Sequence, residues 1–137
     1  MNIALWIVQA LLAFAFIMAG GMKLATPIDE LVANGMTWVQ HMPALGVRLI
    51  GFAEVAGGLG LILPSALKVA PKLTPLAAAL LALVMVLAIC THLALGEFMV
   101  VPQVVLGSLA AFVAWGRLVK SPILGKGSTL SNSPSPA

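Results

Sequence analysis

Charge and cysteine are both scarce in this chain of 137 residues. Only 8% of the residues are charged, 61% are hydrophobic, and the mean hydropathy is +1.12. A soluble domain carries about 25% charged residues, so this composition excludes the ordinary soluble class and predicts an integral membrane protein. The single cysteine, Cys90, has no partner for an intrachain disulfide or a Cys-x-x-Cys pair. Dithiol redox chemistry by this chain alone is therefore excluded.

Common motifs of catalysis and cofactor binding are also missing. The sequence contains no glycine-rich phosphate loop, no nucleophile elbow and no zinc-ligand spacing, and we predict no metal ligands. The formal charge is +3, but the basic residues flank apolar segments and do not form one face. The excess of positive charge therefore indicates membrane topology and not nucleic-acid binding.

Four apolar segments are long enough to cross a membrane as helices. A hydrocarbon core of about 30 Å needs roughly 20 residues in a helix. The segments cover residues 3–24, 45–63, 74–95 and about 100–118. They predict an all-α fold, a four-helix transmembrane bundle within residues 1–120. Residues 121–137 contain Ser, Pro, Gly and Asn without an apolar period, which predicts a disordered cytoplasmic tail.

Turn residues separate these segments. A short surface helix is predicted over residues 27–33, with a proline and two acids in its first turn. Pro64 is predicted to begin the loop after the second span. Thr74 is predicted to be an N-cap, with Pro75 at the first helical position. Because only residues 96–101 connect the third and fourth spans, we expect those helices to be antiparallel neighbours.

Basic residues are distributed unevenly between the two sides of the predicted bundle. When the loops alternate between sides, one side receives both termini and five basic residues, and the other receives two. The five are Lys68, Lys72, Arg117, Lys120 and Lys126. Cytoplasmic loops carry the excess of Lys and Arg, so we expect both termini to be cytoplasmic.

Polar side chains within the spans lie in the outer half of the predicted bundle. The four are Lys23, Glu54, His92 and Gln103. Each shares a helical stripe with Gly or Ala residues, and small residues mark faces where membrane helices approach closely. We therefore expect the four side chains to converge inside the bundle. Glu54 is the strongest indicator of a site, because a charge at membrane depth costs roughly 2.5–3.5 kcal/mol.

Three interpretations of this cluster stay open. It could bind a small lipophilic or amphipathic molecule, such as a quinone, with Lys23, His92 or Gln103 as donors. It could instead relay protons through Glu54 and His92 in the membrane subunit of a quinone-linked oxidoreductase. It could also be structural, with a Glu54–Lys23 ion pair joining two helices in a scaffold. Taken singly, Lys23 and His92 could be interfacial residues, and Gln103 could satisfy backbone groups at a helix end.

At these residues the chain resembles the DoxX-like family of small four-helix membrane proteins. The similar motifs are Ala19-Gly20-Gly21-Met22-Lys23-Leu24, Gly51-Phe52-Ala53-Glu54-Val55-Ala56-Gly57-Gly58, Leu61-Ile62-Leu63-Pro64, Thr74-Pro75-Leu76-Ala77-Ala78 and Cys90-Thr91-His92. The resemblance covers roughly residues 3–118.

The resemblance implies a four-helix bundle and, for some relatives, association with redox or detoxification partners. It makes a quinone the candidate ligand and a redox protein the candidate partner. Oligomerisation stays open apart from the resemblance. The expected location is a bacterial inner membrane. Relatives that exchange disulfides need paired cysteines, which this chain lacks.

Overall fold

Helices form the whole regular structure of the described chain. A computed structural model describes residues 1–98 and 100–124, and every regular element in those residues is helical. The long helices and one short surface helix are α1 (Asn2–Ala25), α2 (Ile28–Ala33), α3 (Ala44–Leu67), α4 (Leu73–Ala94) and α5 (Val101–Trp115). A 3-10 helix, Thr37–His41, lies between α2 and α3. A π-helical turn, Gly116–Lys120, extends α5.

Four of these helical segments are long and apolar enough to cross a membrane. They are Asn2–Ala25, Ala44–Leu67, Leu73–Ala94 and Val101–Lys120. Large apolar side chains such as Phe14, Phe52 and Leu80 point away from the bundle, which suits a surface surrounded by lipid. The chain is therefore an integral membrane protein with four spanning helices, as its composition predicted.

The four long helices close into one bundle. Helix α1 packs along α3, α3 along α4 and α4 along α5, while α1 also contacts α5. The expected pairing of the third and fourth spans is confirmed, because α4 and α5 are adjacent and joined by a short connection. Apolar side chains fill the centre of the bundle, among them Leu12, Phe16, Leu61, Leu81 and Val113.

A separate small core holds the segment between α1 and α3 against the bundle. Leu31 of α2, Val39 of the 3-10 helix and Val47 of α3 are buried together. The α2 helix confirms the predicted surface helix and begins one residue later, with Pro27 preceding it. This core fixes the 3-10 helix beside the end of α1, where it contributes side chains to the site described below.

The backbones of α1 and α3 approach closely at two glycines. A Cβ atom added to Gly20 would lie 2.5 Å from the carbonyl oxygen of Gly51, and one added to Gly51 would lie 2.8 Å from the Gly20 carbonyl oxygen. Any larger residue would push the two helices apart. The glycines therefore allow Lys23 and Glu54, each three residues further along its helix, to face each other at short range.

The second span is longer than predicted, because α3 continues through Pro64 to Leu67. Proline has no N–H to donate to the carbonyl four residues earlier, here that of Gly60. The Thr74 hydroxyl donates to the Gly60 oxygen at 3.1 Å, and the Ser65 hydroxyl donates to Thr74 Oγ1 at 2.7 Å. Helix α4 thus satisfies the carbonyl that the proline leaves without a partner.

The same contacts correct the predicted N-cap of the third span. Helix α4 begins at Leu73, with Lys72 at the N-cap position, so Thr74 lies inside its first turn. Thr74 is fully buried, and its hydroxyl bonds to α3 and does not cap its own helix. At the other end of α4, Gly96 has a φ of +77° and turns the chain toward α5. Residues 125–137, which include Lys126 and most of the predicted tail, lie outside the described residues.

Candidate functional site

Lys23 and Glu54 form a buried ion pair toward one end of the bundle. We call this end the cavity end, after the cavity described below. Lys23 Nζ lies 3.0 Å from one Glu54 carboxylate oxygen and 3.1 Å from the other. The side chains are only 9% and 4% exposed. Burial of either charge alone would be costly, and pairing with two short contacts offsets that cost. The pair joins the last turns of α1 to the middle of α3.

Arg48 fixes the backbone from which Lys23 projects. Its Nη1 donates to the carbonyl oxygens of Lys23 and Thr26, at 2.5 and 2.7 Å. The last carbonyls of a helix lack partners within that helix, and a cation placed there satisfies them. Arg48 therefore caps α1 from α3 and restrains the Lys23 side of the ion pair.

His92 is the centre of a second polar group at the cavity end. Its Nδ1 lies 2.7 Å from the Glu97 carboxylate, and its Nε2 lies 3.3 Å from Gln103 Nε2. The Thr37 hydroxyl, from the 3-10 helix, also donates to Glu97. Hydrogen bonds therefore run from the 3-10 helix through the α4–α5 connection and the end of α4 to the start of α5.

Glu97 lies in the connection between α4 and α5, outside the spanning helices. The hydrogen bond from Thr37, and after it the bond from His92, hold the pKa of Glu97 below its ordinary value of 4.5. Hydrogen bonds to a carboxylate favour its ionised form. Glu97 is therefore ionised at neutral pH and accepts a hydrogen bond from His92 Nδ1.

Both polar groups face one cavity of about 810 Å³. The polar side chains on its wall are Lys23, Glu54, Thr91, His92, Glu97 and Gln103. The apolar side chains around them include Phe16, Trp38, Met85, Phe98 and Leu106. Ligand sites commonly have about 300–1,000 Å³, mostly apolar walls and a few placed polar groups. The cavity has the size and the lining of a site for a small amphipathic molecule.

All four side chains selected from the sequence line this cavity, but they form two groups. Glu54 bonds to Lys23, whereas the bonds of His92 in the described chain go to Glu97 and Gln103. The carboxylate beside the histidine is thus Glu97, which is not among the four side chains selected from the sequence. Its position five residues after His92, just past a helix-ending glycine, is the signal that identifies it. No local pattern indicated Thr37, whose bond to Glu97 spans 60 residues.

A further polar cluster lies at the opposite end of the bundle. Arg117 is 3% exposed, and it donates to Gln9 Oε1 at 2.6 Å and to Asn2 Oδ1 at 2.7 Å. Gln9 in turn donates to the Leu61 carbonyl oxygen at 2.6 Å, and the guanidinium lies 5.3 Å from the Trp6 ring centre. Arg117 was counted in the sequence as a flanking charge, but it is a buried link between α1 and the π-helical turn.

Metal binding has no support within residues 1–98 and 100–124, because no three His, Cys, Asp or Glu side chains are grouped to hold an ion. Four spanning helices with an amphipathic cavity at one end define a small polytopic membrane protein with a ligand-sized site. The profile of the DoxX-like family matches residues 7–116, and the chain belongs to that family. Comparison with curated proteins and with solved structures finds no match.

Proposed function

We propose that the protein binds a small lipophilic or amphipathic molecule, such as a quinone, and acts as an accessory membrane subunit. One observation carries the proposal: Lys23, Glu54, His92 and Gln103 all line a single cavity of about 810 Å³ with mostly apolar walls. Polar groups on four helices at one cavity match the usual construction of ligand sites within helix bundles.

The lining suggests how such a molecule would be oriented. Its polar head would lie beside the Lys23 ammonium and the His92–Gln103 pair, where hydrogen-bond donors suit a carbonyl oxygen. Its apolar part would lie along Phe16, Met85 and Leu106, which belong to the same cavity. Burial of apolar surface contributes about 25 cal/mol per Å², so the apolar walls supply affinity and the polar groups supply orientation.

The distribution of charge supports an outward-facing cavity in a bacterial inner membrane. Lys68, Lys72 and Lys120 lie toward the Arg117 end of the bundle, whereas Lys23 and Arg48 lie at the cavity end. Since Lys and Arg accumulate on the cytoplasmic side, this arrangement supports cytoplasmic termini and a cavity near the outer leaflet.

A second candidate function is a proton relay in a quinone-linked oxidoreductase. The observation that favours it is the position of His92 between the half-buried Glu97 carboxylate and Gln103 at the cavity wall. A histidine bonded to a carboxylate can pass a proton between the surface and a bound molecule. Electrons would come from a partner protein, and a mild-detergent pulldown without any redox protein would contradict this function.

Tryptophan fluorescence provides a direct test of ligand binding. Trp38 lines the cavity, and quinones quench nearby indole emission. Titration of the purified protein with decylubiquinone should quench the fluorescence saturably, and Trp38→Phe should remove most of the response. Ala88→Phe, at the cavity wall, should abolish the quenching. Ala79→Phe is the matched control, because Ala79 is exposed on the same helix and its replacement should leave binding intact.

A double variant separates ligand binding from a purely structural ion pair. Lys23→Met with Glu54→Gln removes both charges without leaving one of them buried alone. If binding matters, the folded double variant should lose about tenfold or more in quinone affinity. Unchanged affinity would assign the pair to helix packing alone. Native mass spectrometry without a retained small molecule, together with no quenching by the quinone, would refute the proposal.

A further inference from the structure

The Gln103 amide brings one polar atom without a partner to the cavity. Gln103 Oε1 is buried and has no hydrogen-bond partner in the described chain, although the residue lines the cavity. Its Nε2 faces His92 Nε2 at 3.3 Å. A buried acceptor left without a donor loses the hydrogen bonds that it would make in water, which is costly. A ligand that donates to this oxygen would recover that free energy.

The hydrogens of His92 determine which end of the amide turns toward the ring. Nδ1 faces the Glu97 carboxylate at 2.7 Å, so this nitrogen carries a hydrogen and donates it. In the neutral ring, Nε2 is then an acceptor and takes a hydrogen bond from the Gln103 N–H, which leaves the amide oxygen to the ligand. In the charged ring, Nε2 becomes a donor. The amide must then turn its oxygen to the ring and offer its N–H to the ligand.

We infer that Gln103 selects ligands by hydrogen-bond polarity and that the charge of His92 sets the selection. With His92 neutral, the site prefers a ligand hydroxyl that donates. With His92 charged, it prefers a ligand carbonyl that accepts. The hydroxyl and carbonyl forms of one carrier, such as a quinol and its quinone, differ in this property. The inference rests on the proposed function, because it assigns a ligand class to the same cavity.

The other ionisable groups around His92 are consistent with this selection. Glu97 faces its Nδ1, and His41 of the 3-10 helix acts on Glu97 from further away. Lys23 and Glu54 lie on the same cavity wall from α1 and α3, but they neutralise each other. The pKa of Glu97 lies below 4.5, so this carboxylate stays charged through the range in which histidines titrate. Of these groups, His92 is the one that faces the Gln103 amide, with 3.3 Å between the two Nε2 atoms.

Two probes of similar shape and opposite polarity test the inference. Para-octylphenol presents a hydroxyl donor, and para-octylacetophenone presents only a carbonyl acceptor. Calorimetric titration of the full chain in detergent should show the phenol binding about tenfold more tightly than the ketone at about pH 8. At about pH 5 the ratio of affinities should fall to about one or below it.

Variants assign the effect to the amide. Gln103→Met should bind both probes with similar affinity at both pH values, because methionine has the length of glutamine without its amide. His92→Phe should bind the two probes with a ratio of affinities that no longer changes with pH, since the amide is then free to turn. Val105→Met is the matched control on α5, because Val105 is half exposed and away from the cavity. It should behave as the wild type does.

The outcomes separate this inference from the proposed function. If both probes bind the wild type with a ratio within about twofold at both pH values, the selection by Gln103 is overturned and the cavity remains a ligand site. The same conclusion follows if Gln103→Met keeps the pH-dependent ratio. If neither probe nor decylubiquinone binds, and Ala88→Phe changes nothing, the proposed function fails and this inference fails with it.

Discussion

Replacing Gly20 by alanine is expected to separate α1 from α3. The added Cβ would lie 2.5 Å from the Gly51 carbonyl oxygen, and ordinary contacts begin at 3.4 Å, so the backbones must move apart by about 0.9 Å. A backbone oxygen cannot avoid the clash by changing rotamer. Because Lys23 and Glu54 each lie one turn further along, the same movement draws their 3.0 Å contact apart.

The size of the effect follows from comparison with Gly21. A Cβ at Gly21 would meet nothing within 4 Å, so Gly21→Ala changes only the helix propensity, by about 0.5–1 kcal/mol in favour of folding. Gly20→Ala gains the same propensity and adds an overpacked contact, which costs about 1–3 kcal/mol. The difference between the two variants isolates the contact, and Gly20→Ala should be less stable by about that amount.

The assay measures unfolding in mixed detergent micelles for wild type and both variants. Far-ultraviolet circular dichroism monitors the loss of helix. Decylubiquinone quenching of Trp38 provides a second measurement, in which Gly20→Ala should weaken binding and Gly21→Ala should not. If Gly20→Ala proves as stable as Gly21→Ala and binds equally well, the close approach of the two helices does not hold the ion pair in place.

Two further predictions concern single hydrogen bonds. Thr74→Val should lower the free energy of unfolding by about 1–3 kcal/mol, because it leaves the Gly60 carbonyl without a donor beside Pro64; equal denaturation midpoints for variant and wild type would contradict this. The pKa of Glu97 in the folded protein lies below its ordinary value of 4.5. The contribution of Glu97 to stability is therefore present above pH 4.5 and is lost as the pH falls through the folded pKa. The melting temperature of wild type should therefore fall between about pH 5 and pH 3, and Glu97→Gln should show a shallower fall; parallel curves would show that Glu97 contributes nothing.

The four-helix bundle was largely predictable, because each helix is specified by residues that are close together in the sequence. Each span is a run of apolar residues long enough for the bilayer, and each loop contains residues that end or begin helices. The exception was the end of the second span. Pro64 was read as the start of a loop, but α3 continues past it because Thr74 reaches across from α4 to the Gly60 carbonyl. A side chain on another helix decided that boundary.

The site was predictable only in part, for a related reason. Lys23 and Glu54 could be selected because a charge among apolar residues is visible in the sequence, and nearby glycines indicate a helix contact. Thr37 and Glu97 lie outside the spans, where polar residues are common. Only the position of Glu97, five residues after His92, pointed to it, and Thr37 had no marker. Their hydrogen bond joins positions 60 residues apart, and that of Arg117 with Gln9 joins positions 108 residues apart.

The order of the amino acids was enough to establish that four helices cross a membrane and that a few costly polar groups must be buried among them. It did so because lipid admits no unpaired backbone and few charges, so length and composition leave little choice. The tertiary structure alone decided which groups pair: Glu54 with Lys23, and His92 with Glu97 and Gln103. Partners depend on how far helices approach and which faces meet, and those distances arise only when the whole bundle packs.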